Sequence, residues 1–225
     1  MADIVNFGFL LLFCFGSLVV KASRSGDLDA LTAFHQGVSD PQNAMKSWDT
    51  SLYDPCTWFH VTCDNDNRVI RLDLFRFGLS GHLVPQLGNL HRLQYLNLND
   101  NNLYGPIPQE LGNMANLKSL NLFGNRLSGR IPPSLGKLHL LFFFRLNNNN
   151  LTGPIPSELG GIATLKVVDV SSNNLCGPVP RGGSLSPITT IRGSTNLVNE
   201  ARDQDSTNNL DGKDSSLKSI VIFQC

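Results

Sequence analysis

A glycine returns every 24 residues along the middle of the chain, at Gly81, Gly105, Gly129, Gly153 and Gly177, and a leucine stands two places before each. Five copies in fixed register demand a supersecondary unit that stacks on itself, because 24 residues cannot bury a core alone. The unit from Leu93 reads LQYLNLNDNNLYGPIPQELGNMAN, and those from Leu117 and Leu141 follow it closely. In its opening, Leu96 and Leu98 alternate with Tyr95, Asn97 and Asn99, which predicts a short strand with one buried face. An asparagine follows at Asn101, Asn125, Asn149 and Asn173, where the chain leaves the strand and an amide can satisfy turn backbone groups of neighbouring coils. Left unpaired, those groups would cost about 1–3 kcal/mol each. The first repeat departs, with Phe77 in that place. Gly-x-Ile-Pro then bends the chain across the back, where proline holds φ and removes a donor that no sheet partner needs.

The pattern LxxLxLxxNxL is that of a leucine-rich repeat. It predicts a right-handed solenoid with a concave parallel β-sheet and short helical or 3-10 backs, five repeats long over residues 69–185. Both ends of such a stack expose core and need lids. From Asp27 to Trp48, Leu28, Leu31, Phe34 and Val38 recur at helical spacing, with Asp27 or Asp29 available as N-cap, so a short amphipathic helix leads into PCTWFHVTC. Residues 23–68 thus form an N-terminal cap. After Leu185 the period fails, and Gly193 to Ser219 is dominated by polar residues and glycine, so 186–225 is expected to be a mostly disordered tail. Its closing SIVIFQC is too short to span a membrane.

The chain of 225 residues is balanced in charge, with 18 basic and 18 acidic residues, and no basic excess points to nucleic acid. Ile4 to Val20 is nearly all apolar and ends on Val20-Lys21-Ala22, which reads as a secretory signal peptide over residues 1–22. The n-region carries Asp3 and no basic residue, which leaves an uncleaved anchor open. Without the signal, and its Cys14, the cysteines are Cys56, Cys63, Cys176 and Cys225, an even number in a chain bound for an oxidising compartment. Four cysteines allow three pairings. The short apolar loop between Cys56 and Cys63 suits a local bridge, which leaves Cys176 with Cys225. That second bridge would close a loop of about 50 residues, worth about 4 kcal/mol in the chain-entropy model. Zinc spacing is missing: there is neither a second CxxC nor a nearby histidine pair.

The outward strand positions are Arg71, Asp73 and Phe75 in the first repeat and Tyr95, Asn97 and Asn99 in the second. The third offers Ser119, Asn121 and Phe123, the fourth Phe143, Arg145 and Asn147, the fifth Val167, Asp169 and Ser171. Aromatics and arginines on a rigid face are the usual anchors of protein recognition, so the concave surface is the candidate binding site. Tyr95, Phe143 and Arg145 are read as adjacent rows of one patch. Phe75 and Phe123 are equally consistent with ordinary exposed hydrophobes. Catalysis finds little support: the five histidines are scattered, and there is no Gly-x-Ser-x-Gly, catalytic carboxylate pair or phosphate loop. His91 and His139 occupy matching variable positions and are expected in solvent. Asn150-Leu-Thr152 is the one Asn-x-Ser/Thr sequon and marks Asn150 for N-glycosylation.

The GxIPxxLGxL repeats and the paired-cysteine cap, SDPQNAMKSWDTSLYDPCTWFHVTCDNDNRVIRLDL, resemble the plant-specific leucine-rich repeat class, and most of all the ectodomain of somatic embryogenesis receptor-like kinases. LKVVDVSSNNLCGPVP and the final cysteine look more like the short, secreted, kinase-less proteins related to that ectodomain. The resemblance covers residues 26 to 185. It implies that cap and concave face bind the ectodomain of a ligand-sensing receptor kinase and complete a steroid or peptide hormone site. The cap Phe-His pair of that family matches Phe59 and His60, and its inner-face Tyr, Phe and Arg match Tyr95, Phe143 and Arg145. Family tyrosine, aspartate and tyrosine positions correspond here to Asn99, Asn121 and Phe123, which implies an altered partner set.

The expected protein is therefore no enzyme and carries no cofactor. It is a secreted, apoplastic recognition module, held at or near the plasma membrane surface, in plant defence or development. No transmembrane segment or kinase follows the repeats, so it is not expected to signal directly. The competing reading, from related plant repeat proteins, is an inhibitor of a pathogen polygalacturonase. Those inhibitors have about twice as many repeats.

Overall fold

A computed structural model describes residues 26–51 and 54–180, and beyond them the backbone of Thr189–Thr190 and Asn196–Val198. The expected signal peptide lies outside the described residues. The chain is a leucine-rich repeat solenoid. Its concave sheet runs through Val61–Cys63, Val69–Asp73, Tyr95–Asn97, Ser119–Asn121, Phe143–Arg145 and Val167–Asp169 to Thr189–Thr190. The repeat strands pair in parallel one period apart, Tyr95 with Ser119 and Ser119 with Phe143. Alternation does what the sequence predicts. Leu96, Leu120, Phe144 and Val168 point into the core, while their strand neighbours are half-exposed.

A second parallel sheet was not expected. Ser80–His82, Asn102–Pro106, Arg126–Arg130, Asn150–Gly153 and Asn174–Pro178 pair in series, and Asn196–Val198 extends them. The segment read as a bend is thus a strand. NLYGP has neither alternation nor β-branched residues to announce one, and its proline closes the strand, where the missing N–H is harmless. Gly105 supplies the required left-handed backbone, with φ 80°. The backs are 3-10 helices as expected, at Pro85–Asn89, Gln109–Asn113, Pro133–Lys137 and Ser157–Gly161, burying Leu87, Leu111, Leu135 and Leu159. They stack closely enough that a Cβ on Gly112 would collide with the Ser134 carbonyl.

The asparagine row performs its expected task in full. Asn101 accepts from the N–H of Phe77 at 3.1 Å and of Leu79 at 3.0 Å, and donates to the carbonyls of Leu74 and Leu98 at 2.7 and 3.0 Å. Asn125 accepts from Leu103 N–H and donates to the carbonyls of Leu98 and Leu122. Asn149 and Asn173 repeat the pattern one and two coils on. Each amide therefore bonds its own coil and the one before it.

The cap closes both sheets. The helix Gly26–Gly37 buries Leu28, Leu31 and Phe34 and gives way to Val38–Ser39, which pairs antiparallel with Ser80–His82. Val61–Cys63 pairs antiparallel with Val69–Asp73, held by the Cys56–Cys63 disulfide. Asp27 takes a different part from the expected N-cap. It lies inside the first helical turn, fully buried, and its carboxylate accepts from Arg68 Nε at 3.0 Å, Arg68 Nη2 at 3.2 Å and Val69 N–H at 3.0 Å. The carboxylate holds the Arg68 guanidinium above its ordinary pKa. Helix and first repeat strand are thus locked by charge-assisted bonds.

At the other end both sheets gain one strand within the stretch expected to be tail, at Thr189–Thr190 and Asn196–Val198. Cys176 is buried and disulfide-bonded, while Cys225, its expected partner, lies outside the described residues. Replacing Asn125 by Ala leaves the Leu103 N–H without its partner and removes one of the two amide donors to each of the Leu98 and Leu122 carbonyls, which keep Asn101 and Asn149. A loss of about 2 kcal/mol is expected, read as a lowered urea midpoint with an unchanged slope.

Candidate functional site: the concave face and the cap edge

The cap positions its aromatics from below. Trp48 and Trp58 are buried and stacked, with ring centroids 5.0 Å apart, and Trp48 donates its indole N–H to the Phe59 carbonyl at 2.9 Å. Phe59 N–H donates to the Ser47 hydroxyl at 2.7 Å. With its backbone held at both ends, Phe59 leaves its ring in solvent, 53% exposed, beside the Lys46 ammonium 5.9 Å from the centroid. His60 adopts φ 70°, a left-handed conformation that costs an ordinary residue about 1–2 kcal/mol. Its ring lies 4.7 Å from Phe77 and 6.5 Å from Phe59, and its carbonyl accepts the Asp73 N–H at 3.0 Å. The Phe59–His60 pair is therefore fastened to the first strand of the concave sheet. Phe77 takes the register position of the later asparagines and packs on the cap instead, since no earlier coil offers backbone groups to bridge.

Further along the sheet, the Arg71 guanidinium lies 3.9 Å over the Tyr95 ring and 3.8 Å from the Asp73 carboxylate. Arg145 lies 4.6 Å over Phe143. These two cation–ring stacks are not on adjacent rows, as expected for Tyr95, Phe143 and Arg145. Their positions differ by two periods, so the strand Ser119–Asn121 separates them by two strand spacings, roughly 10 Å. Amides fill the gap. Asn121 donates to the side-chain oxygens of Asn97 and Asn99 at 3.1 Å each, and Asn99 donates to Asp100 at 2.9 Å. Arg76 Nε reaches the same Asp100 oxygen at 3.0 Å. Phe123 is partly exposed at the margin of these amides, and Phe75 is 42% exposed on the first row.

The face thus reads as two cation–aromatic stacks flanking an amide plate, with the cap pair at one end. Sequence reasoning counted the aromatics and missed that Arg71 covers Tyr95. Its cue was the register, which places both at the same strand position one coil apart. Arg145 Nε and Asn147 Oδ1 are buried with no hydrogen-bond partner among the described residues. Asn150 is exposed and opens a strand of the outer sheet, where its side-chain oxygen accepts from Asn174 at 2.8 Å. His91 and His139 are exposed, as expected. Among the described residues no group of three metal-ligating side chains converges, and no helix is long and apolar enough to cross a membrane.

Comparison with known proteins agrees with this architecture. The leucine-rich repeat N-terminal domain model matches residues 24–64, and the leucine-rich repeat model matches 92–114, 116–138 and 141–162. The BIR2 ectodomain from Arabidopsis thaliana is 34% identical, over 78% of this chain and 95% of that one, with a TM-score of 0.68. The chain belongs to the plant leucine-rich repeat family. A chain of the BIR3–SERK2 complex from the same plant superposes with a TM-score of 0.67 at 28% identity, over 76% of this leucine-rich repeat chain and 95% of its own. Leucine-rich repeat protein 1 of Oryza sativa subsp. indica is 56% identical over 81 residues, 36% of this chain and 38% of that protein. The match thus spans little more than a third of that curated relative. A leucine-rich repeat ectodomain is a protein-interaction scaffold.

Because the concave stacks rest on a sheet whose core lies beneath them, they contribute little to folding. Changing Tyr95, Phe143 or Arg145 to Ala is expected to shift stability by less than about 1 kcal/mol, checked by urea denaturation.

Proposed function

We propose that this protein is a secreted recognition module that binds the ectodomain of a plant receptor kinase through its concave face and cap edge. The observation that carries the reading is the exposed Phe59 ring next to a strained, solvent-facing His60, both fastened to the concave sheet. Strain of this kind is kept where surrounding structure enforces it, and it gathers at binding sites. Phe59, His60 and Tyr95 form the cap-proximal contacts, and Phe123, Phe143 and Arg145 the distal ones. The amide plate between them offers hydrogen bonds to a partner's polar groups. The unpartnered Arg145 Nε and Asn147 Oδ1 fit the same use, because a partner that draws them outward relieves about 1–3 kcal/mol for each. A steroid or peptide hormone fits the shared edge beside Phe59. The signal segment, the Cys56–Cys63 bridge and the ectodomain relatives support an apoplastic location, in defence or developmental signalling.

Binding of the mature protein to receptor ectodomains, measured by pull-down and interferometry, tests this reading. Phe59→Ala with Arg145→Ala is expected to weaken a bound ectodomain at least about thirtyfold, the equivalent of about 2 kcal/mol for two anchor side chains. Wild-type affinity retained by that pair would overturn the concave-face assignment. Inhibition of a polygalacturonase with no receptor bound would replace the reading altogether.

Two covalent features belong to the same proposal. Asn150 carries an N-glycan on the outer sheet, away from the concave face, and Cys176 pairs with Cys225. Non-reducing peptide mapping of secreted protein is expected to show a glycosidase-sensitive mass on the Asn150 peptide and a linked 176–225 peptide. Free thiols at those two positions would remove the bridge.

A further inference from the structure

Overall neutrality hides a segregation of charge. Residues 26–66, in the cap, hold seven aspartates and one lysine. The turns that lead from the backs into the concave strands are the opposite. Residues 89–94, 113–118, 137–142 and 161–166 contain His91, Arg92, Lys118, Lys137, His139 and Lys166 and no carboxylate. Backbone bonds stack these turns at one register position, that of Gln94, Lys118, Phe142 and Lys166, while Arg92 stands two residues and Lys137 five residues earlier in its own turn. Lys118 N–H donates to the Gln94 carbonyl at 2.8 Å, Phe142 N–H to the Lys118 carbonyl at 2.9 Å, and Lys166 N–H to the Phe142 carbonyl at 2.8 Å. Lys118 Nζ bonds only a neutral amide, Gln94 Oε1 at 2.8 Å, and Arg92, Lys137 and Lys166 are exposed. Among the described residues the ion pairs are made by Arg68, Arg71 and Arg76, and none by these four cations.

We infer that this edge is a second binding surface, for a linear polyanionic polysaccharide of the polyuronate class. Four uncompensated cations along one solenoid edge raise a positive potential that draws a polyanion. Successive coils advance about 4.8 Å, the scale of one sugar ring, so a chain with one carboxylate per sugar meets a cation at every coil or every second coil. Phe142, standing between Lys118 and Lys166, gives a ring for the apolar face of a sugar. An edge whose one exposed large hydrophobic side chain is Leu140, at 45% exposure, suits a linear polyanion better than the plane of a membrane. The edge lies beside the concave face, so wall binding and receptor binding need not compete.

The test is retention of the mature protein on immobilised polygalacturonate, with its fully methyl-esterified form and phosphatidylserine vesicles as separate probes. Retention on the acid form alone is expected, weakening as salt rises. Lys118→Gln with Lys166→Gln is expected to reduce affinity roughly tenfold. The charge-matched pair Arg126→Gln with Arg130→Gln, on the outer sheet, is expected to change it less than about twofold. Thermal melting of both variants shows that each is folded. No wild-type retention at low salt, equal loss in both pairs, equal retention on the ester, or binding to vesicles instead would each overturn the inference.

Discussion

The structure depends on one arrangement, a buried asparagine amide that bonds two successive coils at once. A 24-residue coil leaves its leucines open above and below and its turn backbone unpaired, so it has no stability of its own. Asn101, Asn125, Asn149 and Asn173 address the second problem, each through one side-chain oxygen and one NH₂ group. Asn101, Asn125 and Asn173 are buried and Asn149 half-buried, and the carbonyls and N–H groups they bond lie beside a column of fully buried leucines. Once those bonds fix the distance between coils, the leucines above and below come into contact, and hydrophobic burial of about 1.5–3 kcal/mol per side chain accumulates down the stack.

A stack bonded in this way must end somewhere, and the cap shows how. Antiparallel strands close the first edge of both sheets, and Asp27 locks the helix to Arg68 and Val69 with a carboxylate taken out of solvent. The same lid that hides core also carries Phe59 and His60 to the rim of the concave face. Structural closure and the candidate contact surface are therefore built by the same few residues, and Phe77 shows the exchange. The asparagine's place, useless without a preceding coil, becomes an aromatic seat for His60.

Much of this was legible. The period located every coil, the alternation assigned inward and outward positions, and the short Cys56–Cys63 loop paired as read. The stretch FFFRLNNNNLT resolves letter by letter. Phe144 and Leu146 are buried, Phe143 and Arg145 stack above the sheet, Asn149 bridges coils and Asn150 is exposed. Asn148 has a task that periodicity alone leaves blank: with φ 54° it makes the left-handed turn made by Asp100, Gly124 and Ser172 in other coils. The second sheet was not legible, because its strands lack the alternation that betrays a half-buried strand. Nor was the role of Asp27, since a carboxylate at a helix start reads as a cap until its partner 41 residues away is seen.

By itself, the sequence determined the coil, its register, which side chains face the core and which face out, because all of these follow from periodicities along one strand of chain. Only the tertiary structure decided which outward residues meet. Tyr95 found Arg71 rather than Phe143, and Asn121 joined Asn97 and Asn99, because neighbours on a stacked sheet are set one period apart and not by likeness of residue type. The uncompensated edge of Arg92, Lys118, Lys137 and Lys166 emerged in the same way. In a chain of zero formal net charge, only folding decides which charges find partners and which are left together.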